Sequence, residues 1–175
     1  MKKLFSVILL CAAMCLGGCS EGLIHGTDGL SGFGREVLNM ELVGTASGSS
    51  YTTAWYASEG CDTVQAAVLA IKGKDTWEKQ SVDTSPSKIC SGVYYIVVDH
   101  GYSFCADNPD CAQIKIVSSN GSDTIDVTER PFVTYRKNTF EPAATGRVND
   151  EVTVGSVGMT FYALDKDGNV INCQQ

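Results

Sequence analysis

Apolar and polar residues alternate through most of this chain, and that period of two restricts it to a β-rich fold. Leu38-Asn39-Met40-Glu41-Leu42 alternates as a half-buried strand does. Residues 51–57 (YTTAWYA) are dense in aromatic and β-branched side chains, which suit a pleated surface. Residues 93–98 (VYYIVV) form the most apolar run and read as a central strand covered on both faces. Residues 114–117 and 123–127 flank Asn120-Gly121, a short-range hairpin signal. Further strands are expected at 132–136, 151–154, 159–164 and 170–173, the last two joined by the turn residues DKDGN. One segment departs from the pattern. Residues 61–72 (CDTVQAAVLAIK) place Val64, Val68 and Ile71 at helical spacing, include three alanines and end before Gly73. Asp62 near the start suits a helix dipole, so a helix is expected, with a strand as the alternative because Val64, Ala66 and Val68 also alternate. The expected fold is all-β or β-rich α+β: an antiparallel sandwich or small barrel with at most one helix, stapled by disulfides.

The N-terminus carries a different message. Met1-Lys2-Lys3 precedes an apolar run of 13 residues, 4–16, which closes on Leu16-Gly17-Gly18-Cys19. A positive start, a short apolar core and small residues make a secretory signal peptide. The run is shorter than the roughly 17 residues a membrane-spanning helix needs. A cysteine directly after Leu-Gly-Gly resembles the lipobox of bacterial lipoproteins. The resemblance implies that Cys19 receives a diacylglycerol, that cleavage falls before it, and that the new amine is acylated, commonly with palmitate. Residues 1–18 are then the signal peptide, and the protein is anchored in the cell envelope through its N-terminal lipid. Ser20, where a retaining Asp would keep such a protein in the inner membrane, points to the outer membrane if the source has two. Two or three acyl chains hold a protein stably where one would not.

Charge narrows the partners. The signal takes two of the 13 basic residues and none of the 20 acidic ones, leaving 157 residues with a net charge of −9. Such a domain is repelled by phosphate backbones and by anionic head groups, so nucleic acid is not an expected partner. The 157 residues are enough for one domain to bury its own core. Residues 19–35 read as the lipidated cysteine and a tether, and 36–175 as a single β-rich domain. Five glycines in the fourteen residues 21–34 (EGLIHGTDGLSGFG) argue against a regular element there. Fully extended, that tether would reach about 45 Å. His25 within it reads as solvated.

Of eight cysteines, Cys11 and Cys15 leave with the signal and Cys19 takes lipid. Cys61, Cys90, Cys105, Cys111 and Cys173 remain, and an exported chain makes disulfides their default. Proximity favours Cys105 with Cys111 across a turn containing Asn108-Pro109, then Cys61 with Cys90, leaving Cys173 over. A rival pairing sends Cys173 to Cys61 or Cys90.

Catalytic patterns are sparse. Cys90-Ser91-Gly92 resembles, over three residues, the nucleophile turn of papain-like peptidoglycan endopeptidases, an Asp-Cys-Ser-Gly leading into a helix. Here Ile89 replaces the Asp, a β-rich run follows, and the only downstream histidine is His100, with nothing to mark an orienting partner. Cys105, Cys111 and His100 make an incomplete zinc set. Asp165, Asp167 and Asn169 open like a calcium loop, but Val170 stands where glycine is needed, so a hairpin turn is expected. No metal, no cofactor and no catalytic residue is expected.

Trp55, Tyr56, Tyr94, Tyr95 and Tyr102 are the candidate binding face, because neighbours on a strand point to opposite sides. The expected function is a non-enzymatic binding module of the cell envelope. Its partner is another envelope protein or cell wall, as for secretion or conjugation machine components, inhibitors and adhesins. Two alternatives remain open at this point: an envelope hydrolase using Cys90, and a carrier of small apolar ligands, which needs an open apolar barrel.

Overall fold

The computed structural model describes residues 22–140, 147–148, 151–152 and 158–171. The expected signal peptide, Cys19, Cys173 and the ends of the strands expected at 151–154 and 170–173 lie outside them. The chain forms β1 (Leu23–His25), α1 (Gly26–Phe33), β2 (Glu41–Ser47), β3 (Tyr51–Ala57), β4 (Val64–Gly73), β5 (Thr76–Asp83), β6 (Ser87–Cys90) and β7 (Val93–Val98). There follow β8 (Gly101–Ala106), β9 (Gln113–Ser118), β10 (Gly121–Asp126), β11 (Phe132–Lys137), the short pair β12 (Arg147–Val148) and β13 (Glu151–Val152), and β14 (Thr160–Leu164). All the ladders are antiparallel. Sheet A runs β1-β5-β4-β3-β2, sheet B β11-β8-β7-β6, and sheet C β10-β9-β14. The fold is β-rich, as the alternation requires.

These elements stack as four layers, and strand parity shows how. On β3, Ala54 and Tyr56 join Leu30 of α1, while Trp55 faces Ile96 and Cys105 of sheet B. On β8, Cys105 faces sheet A, while Tyr102, Phe104 and Ala106 pack with Ile114, Ile116 and Ala163 of sheet C. Helix, sheet A, sheet B and sheet C therefore follow in that order. Strands β3 and β8 are covered on both faces, and β8 is buried along its whole length. The expectation for 93–98 holds less fully: β7 is a strand, but Val97 is exposed.

The strand read from Leu38 begins only at Glu41, because Leu38 ends a π-helical turn and Asn39 takes a positive φ of 55°. Two further expectations are overturned here. Residues 61–72 are not a helix, because Val64–Gly73 is the strand between β3 and β5. Its alanines misled: Ala66 faces sheet B and Ala67 faces α1, both fully buried, and small side chains suit a strand squeezed between two layers. Packing outweighs the weak strand propensity of alanine. Nor is 22–35 a tether. It pairs β1 with β5, then runs through α1 and a π-helical turn at Gly34–Leu38 that covers the outer face of sheet A. Helix α1 has three glycines in eight residues and no capping hydrogen bond from the His25 side chain, so tertiary packing of Leu30, 1 % exposed, holds it. The glycine at 34 serves close approach rather than freedom: a Cβ there would lie 2.7 Å from the Tyr56 ring.

The hairpin expected around Asn120-Gly121 forms between β9 and β10, with Ser119-Asn120 as its central pair and Gly121 opposite Ser118. Strands β1, β5 and β6 carry no clear alternation in sequence and follow from the sheets they complete.

Between sheets A and B lies a buried polar brace. The Trp55 indole N–H donates to Ser103 Oγ at 2.9 Å, and Ser103 Oγ and Thr53 Oγ1 are 2.6 Å apart. The Ala46 and Thr134 carbonyls, at 3.1 and 3.3 Å, complete the network. Every buried hydroxyl there has a partner, so the brace fixes how the two sheets register without leaving an unpaired polar group.

Candidate functional site

At one end of the A–B sandwich four connections meet: residues 58–63 between β3 and β4, Ser91-Gly92 between β6 and β7, the loop 107–112, and the segment entering β11. They frame a cleft of about 500 Å³. Its origin lies in side-chain size. Trp55 is the last large residue that sheet A sends toward sheet B; beyond it come Ala57 and Val64, which leave the gap unfilled. Val43, Tyr94, Pro109 and Pro131 supply the other apolar walls. Among the described residues the ionisable carboxyls on the lining are Asp62 and Asp107, with no basic side chain beside them.

The rim is fastened from outside. Asn108 Nδ2 donates to the Ser91 carbonyl at 2.8 Å, and its Oδ1 accepts the Asp110 N–H at 2.8 Å. The Asp107 N–H reaches the Gly92 carbonyl at 2.7 Å. Gly92 takes a positive φ of 70°, and a Cβ there would stand 3.0 Å from the Asn108 nitrogen, so only glycine fits easily. The Arg130 guanidinium donates to the carbonyls of Asn108 and Glu129, each at 2.9 Å, and to that of Cys111. Each of its three nitrogens thus holds a loop carbonyl.

The expected site residues are dispersed. Trp55 and Tyr56 are fully buried on opposite faces of sheet A, and Tyr102 is buried between sheets B and C. Tyr95 is half-buried and stacks on Phe161 with centroids 4.3 Å apart. No aromatic face forms from the five. Only Tyr94 reaches the cleft. Opposite parity does send neighbours to opposite faces, but a further layer covers each face. Burial pushes the Tyr56 phenol up to about 12, where it donates to the Leu30 carbonyl at 3.2 Å.

The cysteines divide by face as well. Cys105 points toward sheet A, and Cys111 lies in the B–C core with Cys90. The expected Cys105–Cys111 bridge is therefore not made. Parity on β8 turns Cys105 toward sheet A, the following loop carries Cys111 into the B–C core, and Cys111 Sγ instead contacts the Gln113 carbonyl at 3.5 Å. Burial raises the Cys111 thiol above its ordinary range, which suppresses thiolate. Cys90 turns its side chain to the sheet C side, away from the β3–β4 connection that carries Cys61, so the layering does not support a Cys61–Cys90 bridge either.

The Cys90–His100 arrangement of a cysteine peptidase is also not built. Cys90 is 1 % exposed, and His100 sits in the turn at the far end of β7, a strand length of about 20 Å away. Among the described residues no cluster of three or more metal-ligating side chains occurs. Asp165 spends its carboxylate on its own turn, accepting from the N–H groups of Asp167 and Asn169 at 2.8 and 2.9 Å. Those bonds, that of Asn169 foremost, hold it below the usual carboxylate range.

Asn108, Arg130 and Asp62 were not legible as site residues. Asn108-Pro109 gave only a turn signal, and nothing local marks Arg130 as the clamp of a loop some twenty residues earlier. Chemically, the cleft suits a segment that presents a short apolar body beside a cationic group. Comparisons with protein-family models, with curated proteins and with solved structures find no match for this chain.

Proposed function

We propose that this protein is a lipid-anchored, non-enzymatic binding module of the cell envelope, and that it takes a segment of a partner protein into the cleft between sheets A and B. The observation that carries the reading is the cleft itself: apolar-walled, acidic at its edge and rimmed by loops that Asn108 and Arg130 bond to one another. Pre-formed rims of this kind spare a complex the ordering of loops. The charge matches a basic partner segment and opposes nucleic acid.

The position of the anchor supports the same reading. With no tether, only three residue steps separate Cys19 from Gly22, a reach of about 10 Å. Gly22 lies beside Glu78 of β5, which pairs with Ala70 of β4. Val64 at the cleft is six residues along β4 from there, about 20 Å. An acylated Cys19 therefore holds the domain close to the bilayer while the cleft lies toward the other end of sheet A.

Site-specific photo-crosslinking in intact cells tests this. A photoreactive residue replacing Asp62 is expected to capture a discrete protein adduct, and one replacing Ser119 on the β9–β10 turn is not. Equal labelling from both sites, or none from residue 62, would remove the cleft as the binding site.

A further inference from the structure

Resting on the cleft as the binding site, we propose that it selects a lysine or arginine of the partner segment. The cation is held between Asp62 and Asp107, and an adjoining apolar side chain of the segment lies on the cleft floor. That floor consists of two cross-strand pairs. Ala57 of β3 stands opposite Val64 of β4 on sheet A, Tyr94 of β7 opposite Cys105 of β8 on sheet B, and all four line the cleft. Ala57 and Cys105 are buried, Val64 and Tyr94 half-buried, so the ends of four strands present a mainly apolar surface.

The two carboxylates come from opposite walls. Asp62 lies two residues before Val64, in the β3–β4 connection of sheet A. Asp107 lies two residues after Cys105, in the loop that leaves sheet B. Each is therefore two residues outward from a floor pair, at most about 7 Å at the rise of a strand. Both segments are pinned. The Ser58 N–H donates to the Thr63 carbonyl and the Thr63 N–H to Ser58 Oγ, each at 3.0 Å, while the Asp107 N–H holds the Gly92 carbonyl at 2.7 Å.

Two like charges lining one small cavity repel each other, and a cation between them relieves that repulsion while it draws on both. Such a pairing at a wet mouth is weak by itself. The floor supplies the rest, since an apolar side chain placed there removes apolar surface of both partners from water. The segment must then carry its apolar group within about 7 Å of its cation, a spacing that neighbouring residues of an extended peptide provide. A cation pushed onto the floor would lose its hydration, and an acidic segment would meet two carboxylates of its own sign.

The test uses the full chain, purified in detergent, and end-blocked fluorescent hexapeptides of glycine and serine around a central leucine–lysine pair. Comparison probes carry leucine–glutamate or serine–lysine, and anisotropy reads the binding. The glutamate probe is expected to bind at least about ten-fold more weakly than the lysine probe. The serine–lysine probe should be weaker several-fold. Asp62→Asn should weaken the lysine probe about two- to five-fold and flatten its salt dependence, the floor and Asp107 retaining the remainder. Asp62 is exposed, so Asp62→Arg keeps the fold, and it should reverse the preference of lysine over glutamate. Equal affinity for the two probes, a preference unchanged in Asp62→Arg, or no binding of any probe would overturn the proposal. So would loss of lysine-probe binding on chelation, which would put an inorganic divalent cation between the carboxylates instead. Crosslinking from residue 62 in cells reports on the cleft independently. A partner captured there without any preference for lysine would remove the cation selectivity and leave the binding reading standing.

Discussion

The two ends of the A–B sandwich are made of the same kinds of connection, yet one is shut and the other open. At the shut end, the two-residue turn Asp99-His100 takes positive φ at both positions, 49° and 58°, as a tight hairpin following the strand twist demands. Asp99 Oδ2 accepts the Ser49 hydroxyl at 3.0 Å and the Ser50 N–H at 2.9 Å, tying the β2–β3 turn of sheet A to sheet B. The Tyr135 hydroxyl donates to the Asp99 carbonyl at 2.6 Å. At the open end, Arg130 and Asn108 tie loops of sheets B and C to one another. Where connections bond across the gap the sandwich closes; where they bond along its rim a cleft remains. Bond direction, not loop length, separates the two ends.

That contrast can be broken by filling space. Gly101→Ala would put a Cβ 2.4 Å from the Arg136 carbonyl and 2.7 Å from the Tyr135 hydroxyl, both at the shut end. Overpacking against backbone is expected to lower stability by about 3 kcal/mol. Gly60→Ala at the open end meets nothing nearer than Asp62 Oδ2 at 3.8 Å, so its loss, about 1 kcal/mol, comes only from the positive φ. Urea midpoints of the two variants should differ accordingly; equal losses would mean that the ends are equally packed.

The rim clamp is a smaller effect. Arg130→Ala strips the carbonyls of Asn108 and Cys111 of their shared donor in a largely exposed setting. The expected loss is about 1 kcal/mol. Its sharper signature is faster amide exchange over 107–112, with 99–101 unchanged. Uniform acceleration at both ends would show that the rim and the clasp belong to one cooperative unit.

The smallest expected effect is electrostatic. The Ser50 N–H, followed by the Ser49 hydroxyl, holds the Asp99 carboxyl below its ordinary range. A carboxyl lowered by folding stabilises the native state fully above its unfolded value, about 4, and loses that contribution as pH falls through the folded value. Asp99→Asn should therefore flatten the acid limb of the stability curve between about pH 5 and 3 while leaving the neutral-pH cleft intact. Midpoint measurements across that range check the sign, and an unchanged acid limb would remove Asp99 as the titrating clasp.

Much of the fold was legible because burial on a sheet leaves a period of two. Residues 51–57 and 93–98 read as strands with the bounds they have, and 114–117 and 123–127 read as the arms of a hairpin whose strands are 113–118 and 121–126. The misreadings share one cause. Glycines in 22–34 and alanines in 64–73 look flexible or helical by local propensity, while their small size answers to neighbours distant in sequence: Tyr56 for Gly34, α1 and sheet B for Ala66 and Ala67. The aromatic residues failed as a surface for the same reason. Parity gave their directions correctly, but the number of layers on either side is not written in a single strand.

The sequence by itself determined that this chain is β-rich and acidic and that it turns where it does. These depend on local periodicity, on charge and on contiguous residues. Only the tertiary structure decided which faces are covered, which cysteines share a side of sheet B, and that a cleft remains beyond Trp55. Those outcomes depend on which strands become neighbours, and strand order arises from the summed packing of the whole chain rather than from any segment of it.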